Sequence, residues 1–145
     1  MYTRNNMINE KEKEIIEKLK RTLGYNVPEI TQEQFDNMID YIMQNETEGG
    51  NPKELIWRLS GCYEDLNLNK VIDIFVDTKD AYYTSELVSY VGGNLDQEYL
   101  TKKMIDTNDL KFIDEAMSNC GIAMMYSLDE KYLNEIRKFY NSQSS

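Results

Sequence analysis

Residues 66–120 contain one sequence pattern twice, at an offset of 29 residues. The motif Asp-Thr-x-Asp occupies residues 77–80 and recurs at residues 106–109. A fixed period of this length is typical of stacked helical hairpins, because a single hairpin is too small to bury its own apolar face. The apolar positions before each motif repeat at the same offset: Leu66 with Leu95, Val71 with Leu100, and Phe75 with Met104.

A helical pattern follows each Asp-Thr-x-Asp motif. The apolar residues return with the 3.6-residue period of an α-helix and therefore share one face. Gly92 and Gly121 stand at equivalent places after the two runs, where we expect each helix to end in a left-handed turn. The apolar positions are Tyr83, Leu87, Tyr90 and Val91 in the first run, and Phe112, Ile113, Ala116 and Cys120 in the second.

The last aspartate of each motif, Asp80 or Asp109, directly precedes the helical pattern. A carboxylate there can accept a hydrogen bond from a free backbone N–H of the first turn, and it meets the positive end of the helix dipole. We therefore interpret both residues as helix caps. An EF-hand loop is excluded, since both motifs lack the glycine and the glutamate that such a loop needs.

A weaker copy of the helical pattern lies at residues 51–63, with Asn51 in the capping position and Pro52 at the first helical position. The last copy is shifted by a four-residue insertion, because Tyr99-Leu100 recurs 33 residues later as Tyr132-Leu133. Together the copies predict helices near residues 52–63, 68–77, 81–91, 96–106, 110–120 and 129–140.

The N-terminal part of the chain predicts two further helices. A narrow apolar stripe indicates a helix over residues 10–23, and the capping box Thr-Gln-Glu-Gln at residues 31–34 opens a helix that ends near residue 44. The segments expected to lack regular structure are residues 1–9 (loose N-terminus), 45–51 (polar hinge) and 141–145 (disordered polar tail).

These elements predict a single all-α domain over residues 1–145, a short right-handed stack of about eight helices. The hairpin pattern over residues 51–140, with its Asp-Thr-x-Asp turn and apolar spacing, resembles the HEAT-like and related α-solenoid families. The resemblance carries over no functional residue. It implies a protein-binding scaffold in which the second helix of each hairpin lines a concave surface: residues 68–77, 96–106 and 129–140.

The chain carries 26 acidic and 16 basic residues, a formal net charge of −10. The acidity belongs to residues 24–145, which hold 22 acidic and ten basic residues. This negative charge would repel nucleic acid and disfavour non-specific binding to it. It would attract a basic protein that itself binds nucleic acid. Solubility alone is the alternative explanation, since a charge well away from zero keeps a small protein dispersed.

The chain contains no histidine, which removes the usual general base, the commonest transition-metal ligand and every Ser-His or Cys-His nucleophile. Two carboxylate pairs, Asp36 with Asp40 and Asp73 with Asp77, could still act in catalysis or hold a hard cation. Such like-charged pairs are also common on acidic helices, and no glycine-rich cofactor motif is present. We therefore expect no enzymatic activity, no catalytic residue, no metal and no cofactor.

The two cysteines, Cys62 and Cys120, fall at corresponding apolar repeat positions, and we interpret them as buried small hydrophobes. Residues 1–30 contain no apolar run of the signal-peptide type, and no stretch approaches the ~20 apolar residues that cross a bilayer. We expect a cytoplasmic protein that binds neither membrane nor nucleic acid directly.

The chain has eleven tyrosines, and tyrosine beside carboxylates indicates a protein contact surface, because it supplies a large contact area at low entropy cost. Tyr83, Tyr90 and Tyr132 fall on predicted core positions, whereas Tyr82 does not. The candidate partner-binding residues are Asp36, Asp40, Asp73, Asp77, Tyr82, Glu86, Glu98, Tyr99 and Asp106.

Three functions are compatible with these features. The favoured hypothesis is a non-enzymatic inhibitor from a phage or mobile element, which blocks a basic nuclease or nucleic-acid-bound effector complex in the manner of anti-CRISPR and other DNA-mimic proteins. The second is an immunity protein that neutralises a co-encoded toxin. The third, less favoured, is a metal-dependent enzyme that uses the carboxylates Asp36, Asp40, Asp73 and Asp77.

Overall fold

The computed structural model describes residues 29–44, 51–120 and 127–144, together with Glu10. All regular structure in these residues is helical, which confirms the all-α fold class. A short 3₁₀ helix, Gly92–Asn94, accompanies seven α-helices: α1 (Gln32–Gln44), α2 (Pro52–Cys62), α3 (Asn69–Asp77), α4 (Ala81–Val91), α5 (Gln97–Asp106), α6 (Leu110–Cys120) and α7 (Glu130–Ser144).

The predicted boundaries agree with the observed ones to within one residue for α2 to α6. Helix α7 continues to Ser144, so the disordered tail predicted for residues 141–145 is wrong over most of its length. The polar residues there include neither glycine nor proline, so nothing in the sequence stops the helix. The helix predicted over residues 10–23 and most of the 45–51 hinge lie outside the described residues.

The chain divides into two compact units, a first unit (Met1–Leu66) and a second unit (Asn67–Ser145). The division falls within the predicted repeat block, and the single-domain organisation stays a prediction. In the first unit α1 packs against α2, and the ring of Tyr63 meets that of Phe35 edge-on at 6.2 Å between centroids. The other buried apolar residues of these two helices are Met38, Ile39, Ile42, Ile56 and Leu59.

The helix starts in the first unit follow the predicted capping signals. The backbone N–H of Thr31 donates to Gln34 Oε1 and that of Gln34 donates to Thr31 Oγ1, each at 3.0 Å, so the capping box is confirmed. Asn51 Oδ1 accepts a hydrogen bond from the backbone N–H of Lys53 at 3.0 Å, and Pro52 is the first residue of α2. Local side chains therefore fix where both helices begin.

The second unit repeats its packing along the chain. Helix α3 packs against α4 and α5, α4 also packs against α6, and α7 packs against α5 and α6. Second helices of the predicted hairpins thus contact one another (α3 with α5, α5 with α7), as do the first helices α4 and α6. The right-handed solenoid stays a prediction. Fully buried side chains between these helices include Phe75, Leu87, Leu100, Met104 and Ile113.

The two Asp-Thr-x-Asp turns have the same geometry. The third residue of each, Lys79 or Asn108, adopts a left-handed backbone conformation with φ of 54° or 52°. Asp80 Oδ1 accepts from the N–H of Tyr83, and Asp109 Oδ1 accepts from the N–H of Phe112, both at 3.0 Å. The prediction that both aspartates are helix caps is confirmed.

The left-handed turn predicted at Gly92 is wrong. Gly92 has φ of −50° and ψ of −41°, which is right-handed helical geometry, and the chain continues into the 3₁₀ turn. A Cβ atom at this position would lie 2.6 Å from Cβ of Ser127. Glycine is therefore needed here for a close approach between two segments rather than for a positive φ. Gly121 lies outside the described residues.

Candidate protein-binding surfaces

Three of the candidate residues meet between α3 and α5. The hydroxyl of Tyr99 donates to Asp73 Oδ1 at 2.6 Å. Lys103 Nζ lies 2.8 Å from Asp77 Oδ1 and 3.3 Å from Asp73 Oδ1. The structure thus brings Asp73, Asp77 and Tyr99 together around a lysine that sequence analysis did not single out. We call these four residues the α3–α5 cluster.

The electrostatics of the α3–α5 cluster favour the protonated forms of its two donors. The hydrogen bond to the Asp73 carboxylate raises the pKa of the Tyr99 phenol, and desolvation adds to the effect. The hydrogen bond to Asp77 raises the pKa of the Lys103 ammonium, and Asp73 contributes in the same direction. A phenol with a raised pKa is a poor base at neutral pH, so this cluster stabilises packing better than it could serve acid–base chemistry.

The ammonium of Lys103 also occupies the place that a hard cation would take between the two aspartates. In the described part of the chain, no group of three or more His, Cys, Asp or Glu side chains could hold a metal ion. The repeat period alone does not identify this partner, because the offset of 29 residues relates Asp73 to Lys102 and not to Lys103. Through Lys103, Asp73 and Asp77 join consecutive repeats.

Helices α3, α5 and α7, which were predicted to line a concave surface, carry balanced charge. Together they contain six acidic and six basic residues. The candidates Glu98 and Asp106 are both exposed on α5, but Lys102 stands between them, four residues from each. Helical spacing places these three side chains on one face, so the lysine reduces the local negative charge.

The surplus negative charge of the second unit lies mainly at helix starts. Asp80, Asp96 and Asp109 each accept a hydrogen bond from a backbone N–H of the helix that follows. The N–H of Phe112, together with Lys79 at 3.0 Å, lowers the pKa of the Asp109 carboxyl. These carboxylates meet the positive ends of helix dipoles. Their role as helix caps explains part of the negative charge of the second unit without a binding partner.

Helix α4 presents an aromatic face. Tyr82 and Tyr90 are 55% and 46% exposed, and Glu86 lies between them at four residues from each. The ring of Tyr82 packs edge-on against that of Tyr83, with 4.9 Å between centroids. The prediction that Tyr90 lies in the core is wrong, because the buried face of α4 centres on Tyr83, Leu87 and Val91 and leaves Tyr90 at its edge.

Helix α1 carries acidic side chains and no basic side chain of its own. It contains Glu33, Asp36 and Asp40 and no lysine or arginine. Helical spacing places the three on one side, opposite the buried Phe35 and Ile42. Asp36 accepts a hydrogen bond from Gln32 Nε2 at 3.1 Å, which orients its carboxylate along the helix. We call Glu33, Asp36 and Asp40 the α1 stripe.

The remaining residues singled out by the sequence are partly covered. Cys62 is half-buried, so it is less enclosed than the predicted small hydrophobe. Its partial burial still raises the pKa of its thiol. Tyr132 is also half-buried. The neighbouring Tyr63 is almost fully buried, and desolvation raises the pKa of its phenol to about 12. The side chain of Cys120 lies outside the described residues.

Comparison with protein-family models, with curated proteins and with solved structures finds no significant match for this chain. None of the helices in residues 29–44, 51–120 and 127–144 is long and apolar enough to cross a lipid bilayer.

Proposed function

We propose that this chain is a non-enzymatic inhibitor of the anti-CRISPR or anti-defence type, from a phage or mobile element, which blocks a basic nucleic-acid-binding protein. The observation that carries the proposal is the α1 stripe, which lies opposite the buried face of a helix without any basic residue. Glu33 is exposed, and Asp36 and Asp40 are half-buried. A surface with this charge is attracted to lysine- and arginine-rich grooves and repels nucleic acid itself.

The spacing of the α1 stripe supports this function. At a rise of 1.5 Å per residue the three carboxylates cover about 10 Å of helix axis, or one negative charge per about 5 Å. A single strand of B-form DNA carries one phosphate charge per about 3.4 Å of axis. The stripe therefore approaches the linear charge density of a nucleic-acid strand, which is the property that a DNA mimic must reproduce.

The α3–α5 cluster is a poorer candidate for this role than the α1 stripe, whose own helix contains no basic residue. Asp73 and Asp77 already share Lys103, so a basic partner would have to displace an internal ammonium. The exposed Tyr82 and Tyr90, with the half-buried Glu86 between them on α4, form a second surface of the kind used in protein interfaces, where tyrosine and a carboxylate suit arginine.

The proposal is tested by immobilising the protein and incubating it with lysate from its native host. A captured partner should be a nucleic-acid-binding protein, and duplex DNA or RNA added in excess should release it. Binding should weaken steeply between about 50 and 500 mM NaCl, because paired charges on both surfaces are screened. A partner that resists both salt and nucleic acid would contradict the proposal.

A matched pair of variants locates the surface. The α1 variant is Glu33→Gln, Asp36→Asn and Asp40→Asn, and it should capture the partner at least about tenfold more weakly. The control is Glu98→Gln, Asp106→Asn and Glu135→Gln, which removes the same charge from exposed positions of α5 and α7. Equal loss in both variants would show that only net charge matters.

A further inference from the structure

The last hairpin of the second unit leaves uncovered a face that is covered one repeat earlier. On α4, the side chains of Ser85 and Val88 are 1% and 0% exposed, in a helix that packs against α6. The offset of 29 residues relates them to Asp114 and Met117 on α6. Asp114 is exposed and Met117 is half-buried. The arc of α4 that carries Ser85 and Val88 is therefore buried, whereas the corresponding arc of α6 is accessible to solvent.

The second row of helices shows the same change. The offset of 33 residues that relates α5 to α7 matches Thr101 with Asn134 and Met104 with Arg137. Thr101 and Met104 are buried, and α5 packs against α7. Asn134 and Arg137 are exposed. In the preceding repeat, this arc of each helix is buried and another helix packs against the same helix. On both helices of the last hairpin, the equivalent arc is open.

An apolar cleft of about 150 Å³ lies on this open face, between α6 and α7. Its apolar lining comes from Ile113 and Met117 on α6 and from Ile136 and Tyr140 on α7. Asp114 lines the cleft from one helix and Arg137 from the other. Within the described residues neither of these charged side chains takes part in an ion pair. We call this surface the α6–α7 face.

We propose that the α6–α7 face binds the same face of a second copy of this chain. A two-fold axis brings identical patches together, so that a residue i meets j and j meets i. Such an axis can set Asp114 of each copy against Arg137 of the other, while the apolar linings of the two clefts cover one another. The face carries opposite charges on adjacent helices around an apolar centre, and it is therefore complementary to itself.

The pairing uses one hairpin face from each copy, so the fraction of dimer should rise with protein concentration. The pairing does not depend on the proposed inhibitory function, because the α1 stripe belongs to the first unit.

Sedimentation equilibrium over a wide concentration range tests the pairing through charge reversal. Asp114→Arg and Arg137→Asp should each weaken the dimer by about tenfold or more, since each places like charges opposite one another twice. The double variant, Asp114→Arg with Arg137→Asp, restores opposite charges across the axis and should recover most of the affinity. Far-ultraviolet circular dichroism of each variant checks that the helices are intact.

Glu115→Arg is the matched control, because Glu115 is exposed on α6 but belongs to the arc equivalent to Glu86, outside the cleft. It changes the net charge as much as Asp114→Arg and should leave the dimer unchanged. A wild-type chain that stays monomeric at the highest soluble concentration would overturn the proposal. So would a dimer that tolerates both single reversals, because its interface would then lie elsewhere.

Discussion

The first and second units each contain 13 acidic and eight basic residues, and each presents two aspartates four residues apart on one helix. On α1, Asp36 and Asp40 share their helix with Glu33 and with no basic residue. On α3, Asp73 and Asp77 flank the ammonium of Lys103, which belongs to α5.

These two aspartate pairs are indistinguishable in the sequence and differ in what surrounds them. The charge that a helix presents to a partner depends on the side chains that reach it from neighbouring helices, and not only on its own residues. Net charge therefore indicates the sign of a partner, while the local pairing indicates which surface is available to it.

The largest expected effect on stability concerns the pKa of a tyrosine, which is raised for a different reason in each unit. Burial raises the pKa of Tyr63 in the first unit to about 12, whereas the hydrogen bond to Asp73 raises that of Tyr99 in the second. A raised pKa gives stability that is complete below the unfolded value near 10 and is lost as the pH rises through the folded value. For Tyr63, two pKa units correspond to roughly 3 kcal/mol.

Urea unfolding at a series of alkaline pH values measures this loss. The wild-type free energy of unfolding should fall between pH 10 and about 12, and Tyr63→Phe should remove most of the fall because no phenol remains to ionise. Tyr82→Phe is the control, since it removes a phenol whose ring is 55% exposed and leaves Tyr63 in place, so the fall should remain. An equally steep fall in Tyr63→Phe would contradict the assignment.

The next effect concerns the contacts that hold the second unit together over long sequence distances. Gly92→Ala should destabilise the protein by about 2 kcal/mol, because the new Cβ would lie 2.6 Å from Cβ of Ser127. Gln97 adds to the cost of any shift, since its Nε2 donates to the carbonyl oxygens of Gly92 and Ser127 at 2.8 and 2.9 Å. The measurement is the free energy of unfolding in urea.

Gly93→Ala provides the matched control for this substitution. A Cβ atom at Gly93 would meet no atom within 4 Å, so alanine there should be neutral or slightly stabilising. If the two alanine variants proved equally stable, the close approach of Gly92 to Ser127 would not constrain the second unit.

The helix caps and Gly92 show which features the sequence can predict and which it cannot. The caps Asp80, Asp109 and Asn51 were predictable because each bonds a backbone N–H within three residues. The conformation of Gly92 was not, because the residue that requires a glycine there lies 35 positions away. Periodicity identified the all-α class and the helix boundaries, but it could not show that Lys103 would neutralise two of the candidate site residues.

Lys103→Met tests the compensation in the α3–α5 cluster directly. Methionine retains most of the apolar stem but leaves Asp73 and Asp77 without their shared cation, so we expect a loss of about 1 kcal/mol at neutral pH. The loss should shrink in high salt, which screens the repulsion that remains. Lys102→Met is the control, since Lys102 is exposed on the same helix and outside this cluster. Equal destabilisation by both variants would contradict the assigned role of Lys103.

The smallest effect on stability is expected at the α1 stripe, where the effect on binding should be largest. Asp36→Asn with Asp40→Asn removes like charges from one side of a helix, so the free energy of unfolding should stay within about 0.5 kcal/mol of the wild type or rise slightly. Asparagine keeps the approximate shape of the side chain and its acceptor oxygen, so the hydrogen bond from Gln32 to position 36 can persist. A loss comparable to that of Lys103→Met would mean that these carboxylates stabilise the fold, and the contrast between the two aspartate pairs would disappear. Unchanged stability combined with weaker capture of a basic partner would instead identify α1 as the surface that contacts the partner.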